Sequence, residues 1–315
     1  MTIFLSESNV IDLLDMPNAI KALEKGFREK FAGSAINLSR VRPEVSGIGL
    51  TMMVSVLGSM KVSGFKVMGA GKPLVLLYGG ESKQLLAIIE ASSLGQIRTG
   101  AATGLATKYM ASEDSATVGI VGTGFQAQSQ LEAICCVRDV KEIKAFSRNE
   151  NRRQEFADYM SESLKIRVVP VDSAKEAVTD TDIVVAITNV RTLDPVILGD
   201  WIKAGAHINA AGANSLNRRE LDELAITRSS VIVVDDLDQA KLECSDLVIA
   251  VSTGVIGWND IVELSDIVSG SVLGRSDKDH ITLFESQGIA LEDISVASYI
   301  YEQAIFKGIG EELSF

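Results

Sequence analysis

Apolar positions run through this chain in two rhythms, and the change between them falls near residue 115. Over residues 6–31, Ile11, Leu13, Leu14, Ile20, Leu23 and Phe27 recur at helical spacing behind Ser6, a residue able to cap one segment. This predicts a helix over 6–31. Residues 50–57, 64–68, 74–78 and 85–89 then read as strands, with a turn at 79–83 that makes the last two a hairpin. Residues 92–111 are rich in Ala, Leu and Thr and predict a helix in spite of Gly95, Gly100 and Gly104. Each glycine weakens a helix by up to about 1 kcal/mol relative to Ala. A close approach to sheet, ligand or partner helix would explain them. After residue 115 strand and helix alternate, with strands expected at 117–121, 142–146, 166–171, 182–187, 206–211, 231–235 and 280–284. Such alternation predicts a mostly parallel, doubly wound sheet. Residues 288–307 form a last amphipathic helix, with Ile289, Ile294, Ala297, Ile300, Tyr301 and Ala304 as its buried side. The link 112–115 is the domain boundary the pattern favours.

The stretch 117–127 organises this second half. Val118, Ile120 and Val121 make a short buried strand, and Gly122, Thr123, Gly124, Phe125, Gln126 and Ala127 follow it. That order fits the turn of a dinucleotide-binding βα unit in its variant ending in Ala. Gly122 makes the tight turn, Gly124 lets backbone approach a pyrophosphate, and Ala127 lets the helix pack on the strand. The helix expected over 128–136 aims its N-terminus at the phosphates. A glycine-rich turn in some other α/β domain is the alternative. The strand at 142–146 ends in Ser147, Arg148 and Asn149, with no carboxylate to accept a ribose 2′-hydroxyl. Arg148 suits a 2′-phosphate, with Arg152 and Arg153 in reserve. NADP(H) is therefore the preferred cofactor and NAD(H) a possible one. The competing reading of these arginines is a solvated helix start.

Composition narrows the class. The 315 residues allow one or two domains, and 46% hydrophobic content excludes disorder. No apolar run is long enough to cross a membrane. The first residues lack a signal-peptide pattern. Three cysteines make no disulfide framework, and Cys135 and Cys136 are expected in the core of their helix. A cytoplasmic protein is the default. The net charge of −12 argues against nucleic-acid binding and requires local cations for any anionic substrate. His207 and His280 have no neighbouring metal-type ligand, and both read as core or surface residues. No metal motif or nucleophile elbow is present.

Further motifs run the length of the chain: Arg42, the segment 64–66, Arg98 within 97–102, the segments 212–221 and 234–240, Gly274 with Arg275, and 281–288. With the 122–127 turn, these resemble the ornithine cyclodeaminase/mu-crystallin family from the first helix to the last. The resemblance implies a homodimer of two-domain subunits. Residues 1–113, completed by 293–315, would form a smaller α+β domain for substrate and dimerisation. Residues 114–292 would form a doubly wound Rossmann cofactor domain, making the fold α/β, and the active site would be a cleft between the two. Thr188, Asn189, Ala211, Gly212, Ser286 and Gly288 join the turn, Ser147, Arg148 and Asn149 as expected cofactor contacts.

The residue types suit chemistry at an amino acid's α-carbon. An α-imino carboxylate calls for a cation, and a guanidinium binds it through two parallel bonds. Arg42 and Arg98 are the candidates; Arg40 rivals Arg42, and the family's spacing to the lysine favours Arg42. Lys66 is assigned substrate activation or proton transfer. For each of these cations a surface ion pair is the plain alternative. Asn214 stands where cyclodeaminase-like and alanine-dehydrogenase-like members have an Asp used in acid–base catalysis. Its amide takes up no proton, which weakens the case for ornithine cyclisation; it can still orient substrate, or serve as a turn residue. Asp235 and Asp236 read as structural or cleft-lining. The leading expectation is an NAD(P)H-dependent reductase of an α-imino acid, such as pyrroline- or piperideine-2-carboxylate, giving an L-amino acid. Ornithine cyclodeaminase, an alanine-dehydrogenase-type enzyme and a non-enzymatic NADPH-binding protein are the alternatives.

Overall fold

The computed structural model describes residues 2–69 and 71–314. The chain opens with β1 (Thr2–Leu5), α1 (Glu7–Leu13) and α2 (Met16–Phe31). Strands β2 (Ala35–Asn37), β3 (Glu44–Val45), β4 (Ile48–Gly49), β5 (Thr51–Leu57), β6 (Val62–Met68), β7 (Leu74–Gly79) and β8 (Leu85–Glu90) lead into α3 (Ser92–Met110). Alternation follows: β9 (Thr117–Val121), α4 (Phe125–Val137), β10 (Glu142–Phe146), α5 (Glu150–Leu164), β11 (Arg167–Pro170), α6 (Ala174–Val178), β12 (Ile183–Ala186) and β13 (His207–Ala210). Next come α7 (Glu223–Thr227), β14 (Ser229–Val234), α8 (Leu237–Glu243), α9 (Ser245–Ser252), β15 (Ile261–Glu263), α10 (Leu264–Ser269), β16 (Ile281–Glu285), α11 (Ala290–Lys307) and β17 (Glu311–Leu313). Packing divides the chain into two units. One is Met1–Ala102 with Ile289–Phe315, and the other is Thr103–Gly288.

In the first unit seven strands lie in the order β17-β1-β8-β7-β6-β5-β2. Only the β1–β8 pair is parallel. Helix α11 packs on β5, β6, β7 and α2. Gly64 permits this: a Cβ there would lie 2.8 Å from Ile294 Cδ1 and 2.5 Å from Leu76 O. Side chains two apart on a strand share a face, so Lys66 points the same way as Gly64. The helix expected over 6–31 is two helices. Leu14 leaves the helical region, Asp15 caps α2 by accepting from Asn18 N at 2.8 Å, and Pro17 occupies the first turn. Proline suits a helix start because its N–H would be unpaired there anyway.

The second unit holds an eight-stranded sheet in the order β11-β10-β9-β12-β13-β16-β14-β15. Every pair in it is parallel. From β9 the chain steps outward through β10 and β11, then returns to place β12 on the other side of β9. A doubly wound sheet receives its ligand at the carboxyl ends of such a reversal. All four residues of β12 are buried, as befits a strand covered on both faces. One apolar cluster gathers Leu131, Ile134, Phe156 and Met160, and another gathers Ile202, Ile226 and Leu247.

Six short strands among the described residues, β1 to β4, β15 and β17, lie outside the expected strands; each has two to four residues, too few to show alternation. Cys135 is half-buried and Cys136 exposed, against the expectation of two core cysteines. Helix α4 buries Ala127, Leu131 and Ile134 on its inner face, which leaves Cys136 on the outer one. Among the described residues no helix is long and apolar enough to cross a membrane.

Candidate active site

Two groups of buried polar residues stand out, one in each unit. In the second unit, Gly122 closes β9 with a φ of 111°, and a Cβ there would lie 2.2 Å from Ile187 O. Only glycine fits, because both the left-handed backbone and the neighbouring carbonyl exclude a side chain. Its N–H donates to Phe146 O at 2.8 Å. Gly124 begins α4 with open space around its Cβ position, and no side chain caps the helix. Ala127 is fully buried against the sheet. These features fit a pyrophosphate received at a helix N-terminus. The Thr123 hydroxyl donates to Ser147 Oγ at 2.8 Å, which ties the turn to the end of β10.

Arg148 is exposed, and Asn149 caps α5 by accepting from Arg152 N at 3.0 Å. Arg153 is not held in reserve for a phosphate. It is buried, bonds Asp172 at 2.7 Å and Ser147 O at 3.2 Å, and lies over the Phe146 ring.

A residue without an expected role organises the next two loops. Glu220 is fully buried. Its Oε1 accepts from the Thr188 N–H at 2.7 Å and the Thr188 hydroxyl at 2.6 Å. Its Oε2 accepts from the N–H groups of Gly212 at 2.7 Å and Ala213 at 3.1 Å. One carboxylate thus joins the loops after β12 and β13, beside half-buried Ala211 and Asn214 and exposed Asn189. Asp235 does the same after β16: its Oδ2 accepts from Gly288 N at 2.6 Å, Gln287 N at 2.8 Å and the Ser286 hydroxyl at 3.5 Å. Asp236 caps α8 by accepting from Gln239 N at 2.9 Å.

Further buried acids adjoin this frame. Asp246 accepts from Glu220 N at 3.1 Å, and Glu285 accepts from the Cys244 thiol at 3.5 Å. Burial, reinforced by the nearby Glu220 charge, pushes Asp246 up to about 7. Burial with the charges of Asp246 and Glu220 drives Glu285 well above the carboxylate range. Glu220 is also raised by burial, against the pull of its four hydrogen bonds. His207 lies in the core, its pKa pushed down to about 3 by burial, with Nδ1 2.9 Å from the Thr282 hydroxyl. His280 is half-buried.

In the first unit, Lys66 on β6 and Arg98 on α3 meet two acids of α11. Lys66 Nζ lies 2.9 Å from Asp293 Oδ1, and Arg98 Nε donates to the same oxygen at 3.2 Å. Arg98 Nη1 donates to Glu292 Oε2 at 2.6 Å. The lysine and arginine side chains are only 5% and 9% exposed, and both acids 0%. Gly95 on α3 makes room, since a Cβ there would come within 2.8 Å of Lys66 Nζ. Burial pushes the Lys66 ammonium below its usual range; Asp293 opposes this, while Arg98 and Arg40 add to it. Burial alone would raise Asp293, but Arg98, Lys66 and Arg40 outweigh it and hold the carboxyl below the usual range. Arg40 is therefore within electrostatic reach of the group, and Arg42 is exposed. The Glu292–Asp293 pair had a sequence signal: two adjacent acids between Leu291 and Ile294 on a helix expected to bury that turn. Burying four charges is a poor route to stability. What it yields is a preorganised pair of cations with a titratable amine.

Residues 1–308 match the profile of the ornithine cyclodeaminase/mu-crystallin family. Delta(1)-pyrroline-2-carboxylate reductase of Bacillus cereus is 34% identical, over 90% of this chain and 85% of that protein. Among solved structures, Thermococcus litoralis Delta(1)-pyrroline-2-carboxylate reductase in complex with NADH and L-proline is 34% identical. It superposes with a TM-score of 0.93 over 99% of this chain and 100% of the other. An archaeal alanine dehydrogenase dimer with bound NAD is also 34% identical, with a TM-score of 0.91 over 100% of this chain and 99% of the other.

Proposed function

The chain belongs to the ornithine cyclodeaminase/mu-crystallin family, and on that premise we propose that it reduces an α-imino acid to an L-amino acid with a nicotinamide dinucleotide. The carrying observation is the convergence of Lys66 and Arg98, both buried, on Asp293. The first unit acts as substrate and dimerisation domain, and the second as cofactor domain. The guanidinium groups of Arg98 and of Arg40 or Arg42 receive the substrate carboxylate. The bound cofactor supplies the hydride. Lys66, an ammonium whose pKa burial lowers, delivers the proton that completes the amine. Asn214 orients substrate by hydrogen bonds; lacking a titratable group, it gives ornithine cyclisation no base. Cyclic ketimines, pyrroline- or piperideine-2-carboxylate, are the first substrates. An oxo acid with ammonia is the second reading, favoured by the alanine dehydrogenase relative.

NADP(H) preference rests on exposed Arg148 at the end of β10. Relatives hold NADH and NAD, so both cofactors belong in the assay. The homodimer rests on the dimeric relative and on an apolar edge of the first unit, where Val45 and Ile48 are 73% and 77% exposed beside Ile36, Leu38 and Val41. Three free thiols suit the cytoplasm. The test is steady-state oxidation of NADPH and NADH with a panel of cyclic ketimines, oxo acids plus ammonia, and ornithine with oxidised cofactor. Ketimine-dependent oxidation is expected. Turnover of ornithine to proline with the cofactor only catalytic overturns the reading.

A further inference from the structure

Lys66, Arg98 and Arg40 bring positive charges together in the first unit. Like charges at this range disfavour one another, and for a lysine the relief is loss of its proton. What opposes this loss is Asp293. Its Oδ1 receives both Lys66 and Arg98, while its Oδ2 has no partner among the described residues. The other acid, Glu292, bonds Arg98 through Nη1 and no bond links it to Lys66. The two acids thus divide the work: Glu292 holds the arginine, and Asp293 alone spans arginine and lysine.

We infer that Asp293 is a positioning residue that keeps Lys66 protonated and aimed, so that the amine is a proton donor at the pH of turnover. This rests on the proposed imine reduction, and it names the group on which that proton depends. The groups facing Lys66 are Asp293 from α11, Arg98 from α3 and Arg40 from the segment after β2. Removing the Asp293 charge leaves the two guanidinium groups facing Lys66, with Glu292 bonded to Arg98. An opposing charge at contact distance moves a pKa by about 1–3 units. Lys66 in Asp293→Asn should therefore lose its proton about 1–3 pH units lower than in the wild type.

The experiment measures two quantities on the full-length protein. One is the titration of Lys66 by NMR of 13C-lysine-labelled protein, assigned with Lys66→Met. The other is the pH dependence of kcat for NADPH oxidation with pyrroline-2-carboxylate. In Asp293→Asn both the lysine titration and the alkaline limb of kcat should move down together. Asp293→Glu, which keeps the charge, should return both most of the way to wild type. Gly95→Ala serves as a second variant: its Cβ crowds Nζ without changing any charge, so kcat should fall while the cofactor Kd holds. A Lys66 titration that is the same in wild type and Asp293→Asn overturns the inference. So does an Asp293→Glu variant that behaves as Asp293→Asn. If the wild type reduces no imine at any pH, the proposed function fails, and the NMR titration still decides the place of Asp293.

Discussion

The molecule buries charge twice, and by opposite rules. The cluster in the first unit mixes signs: Lys66 and Arg98 against Glu292 and Asp293. The cluster in the second unit is acidic: Glu220, Asp235, Asp246 and Glu285, with Arg219 no nearer than 4.0 Å to Asp246. In the mixed cluster each ion keeps its partner ionised, so Asp293 is held below the ordinary carboxylate range. In the one-sign cluster burial and repulsion act together, and the carboxyls of Asp246 and Glu285 are pushed up instead. The partners differ in kind as well. Lys66 and Arg98 bond side chains, whereas Glu220 and Asp235 bond mainly backbone N–H groups of the loops after β12, β13 and β16. A mixed cluster can present charge to a substrate. A one-sign cluster commits its oxygens to backbone.

The largest effect that separates the two belongs to Lys66. Lys66→Met should lower kcat by about 10²–10⁴, the usual worth of an acid–base group. NADPH affinity should stay near wild type, because the loss lies in the other unit. Retention of wild-type kcat would remove Lys66 from the reaction and with it the contrast between a working cluster and a framing one.

Glu220 makes the complementary case. Glu220→Gln turns one acceptor into an NH₂ that must face N–H donors of Thr188 or of Gly212 and Ala213. Two charge-assisted bonds at about 1.5 kcal/mol each amount to roughly a hundredfold loss of cofactor affinity. Substrate-side behaviour, read as the Lys66 titration, should not move. Isothermal titration with NADPH and NADH checks this, and unchanged affinities would show that Glu220 frames nothing the cofactor uses.

How far the sequence alone discloses these clusters follows from the same difference. The parallel sheet was legible because its strands are continuous apolar runs such as 183–186, and the turn at 122–127 because glycine is imposed there by a carbonyl 2.2 Å away. Lys66 and Arg98 stood out as cations near glycines and within motifs shared with the family. Their anchors gave only a faint signal. Glu292 and Asp293 lie more than 190 residues away from them in the chain, and an acid pair on a helix reads as solvated until the fold buries it. Glu220 stood within the 212–221 motif but bonds mainly backbone groups, which carry no residue signature. The break between α1 and α2 was visible as Asp15 followed by Pro17, although the apolar spacing continues across it.

A smaller effect is expected at the cofactor's ribose. Arg148→Ala should raise the KM for NADPH over that for NADH by about 10–100-fold, the equivalent of a charge-assisted bond of roughly 1.5–3 kcal/mol. Arg153→Ala should not discriminate between the cofactors, because that side chain is committed to Asp172 and Ser147; it should lower stability instead. Equal effects of Arg148→Ala on both cofactors, or a wild-type preference for NADH, would return Arg148 to the solvated surface.

The smallest effect tests the comparison through pH, since the two clusters should lose stability in opposite directions. Asp293 has its pKa lowered by folding, so its contribution is present above the ordinary value of 3.8 and is lost as pH falls through its lower folded value. Asp246 has its pKa raised by folding from 3.8 to about 7. The folded protein therefore holds this proton more tightly than the unfolded chain. That contribution is complete below about pH 4 and is lost as pH rises towards 7. Asp246→Asn carries a fixed neutral side chain and should flatten the decline of Tm over this window. Glu285 and Glu220, also raised by burial, should keep part of the decline in the variant. Hydrogen exchange assigned by residue adds the location: from pH 4 to 7 the protection of β13, β14 and β16 should weaken more in the wild type than in Asp246→Asn, while β5 to β8 follow the same course in both. A variant whose Tm declines as steeply as the wild type between pH 4 and 7 would place the proton of the one-sign cluster elsewhere than on Asp246.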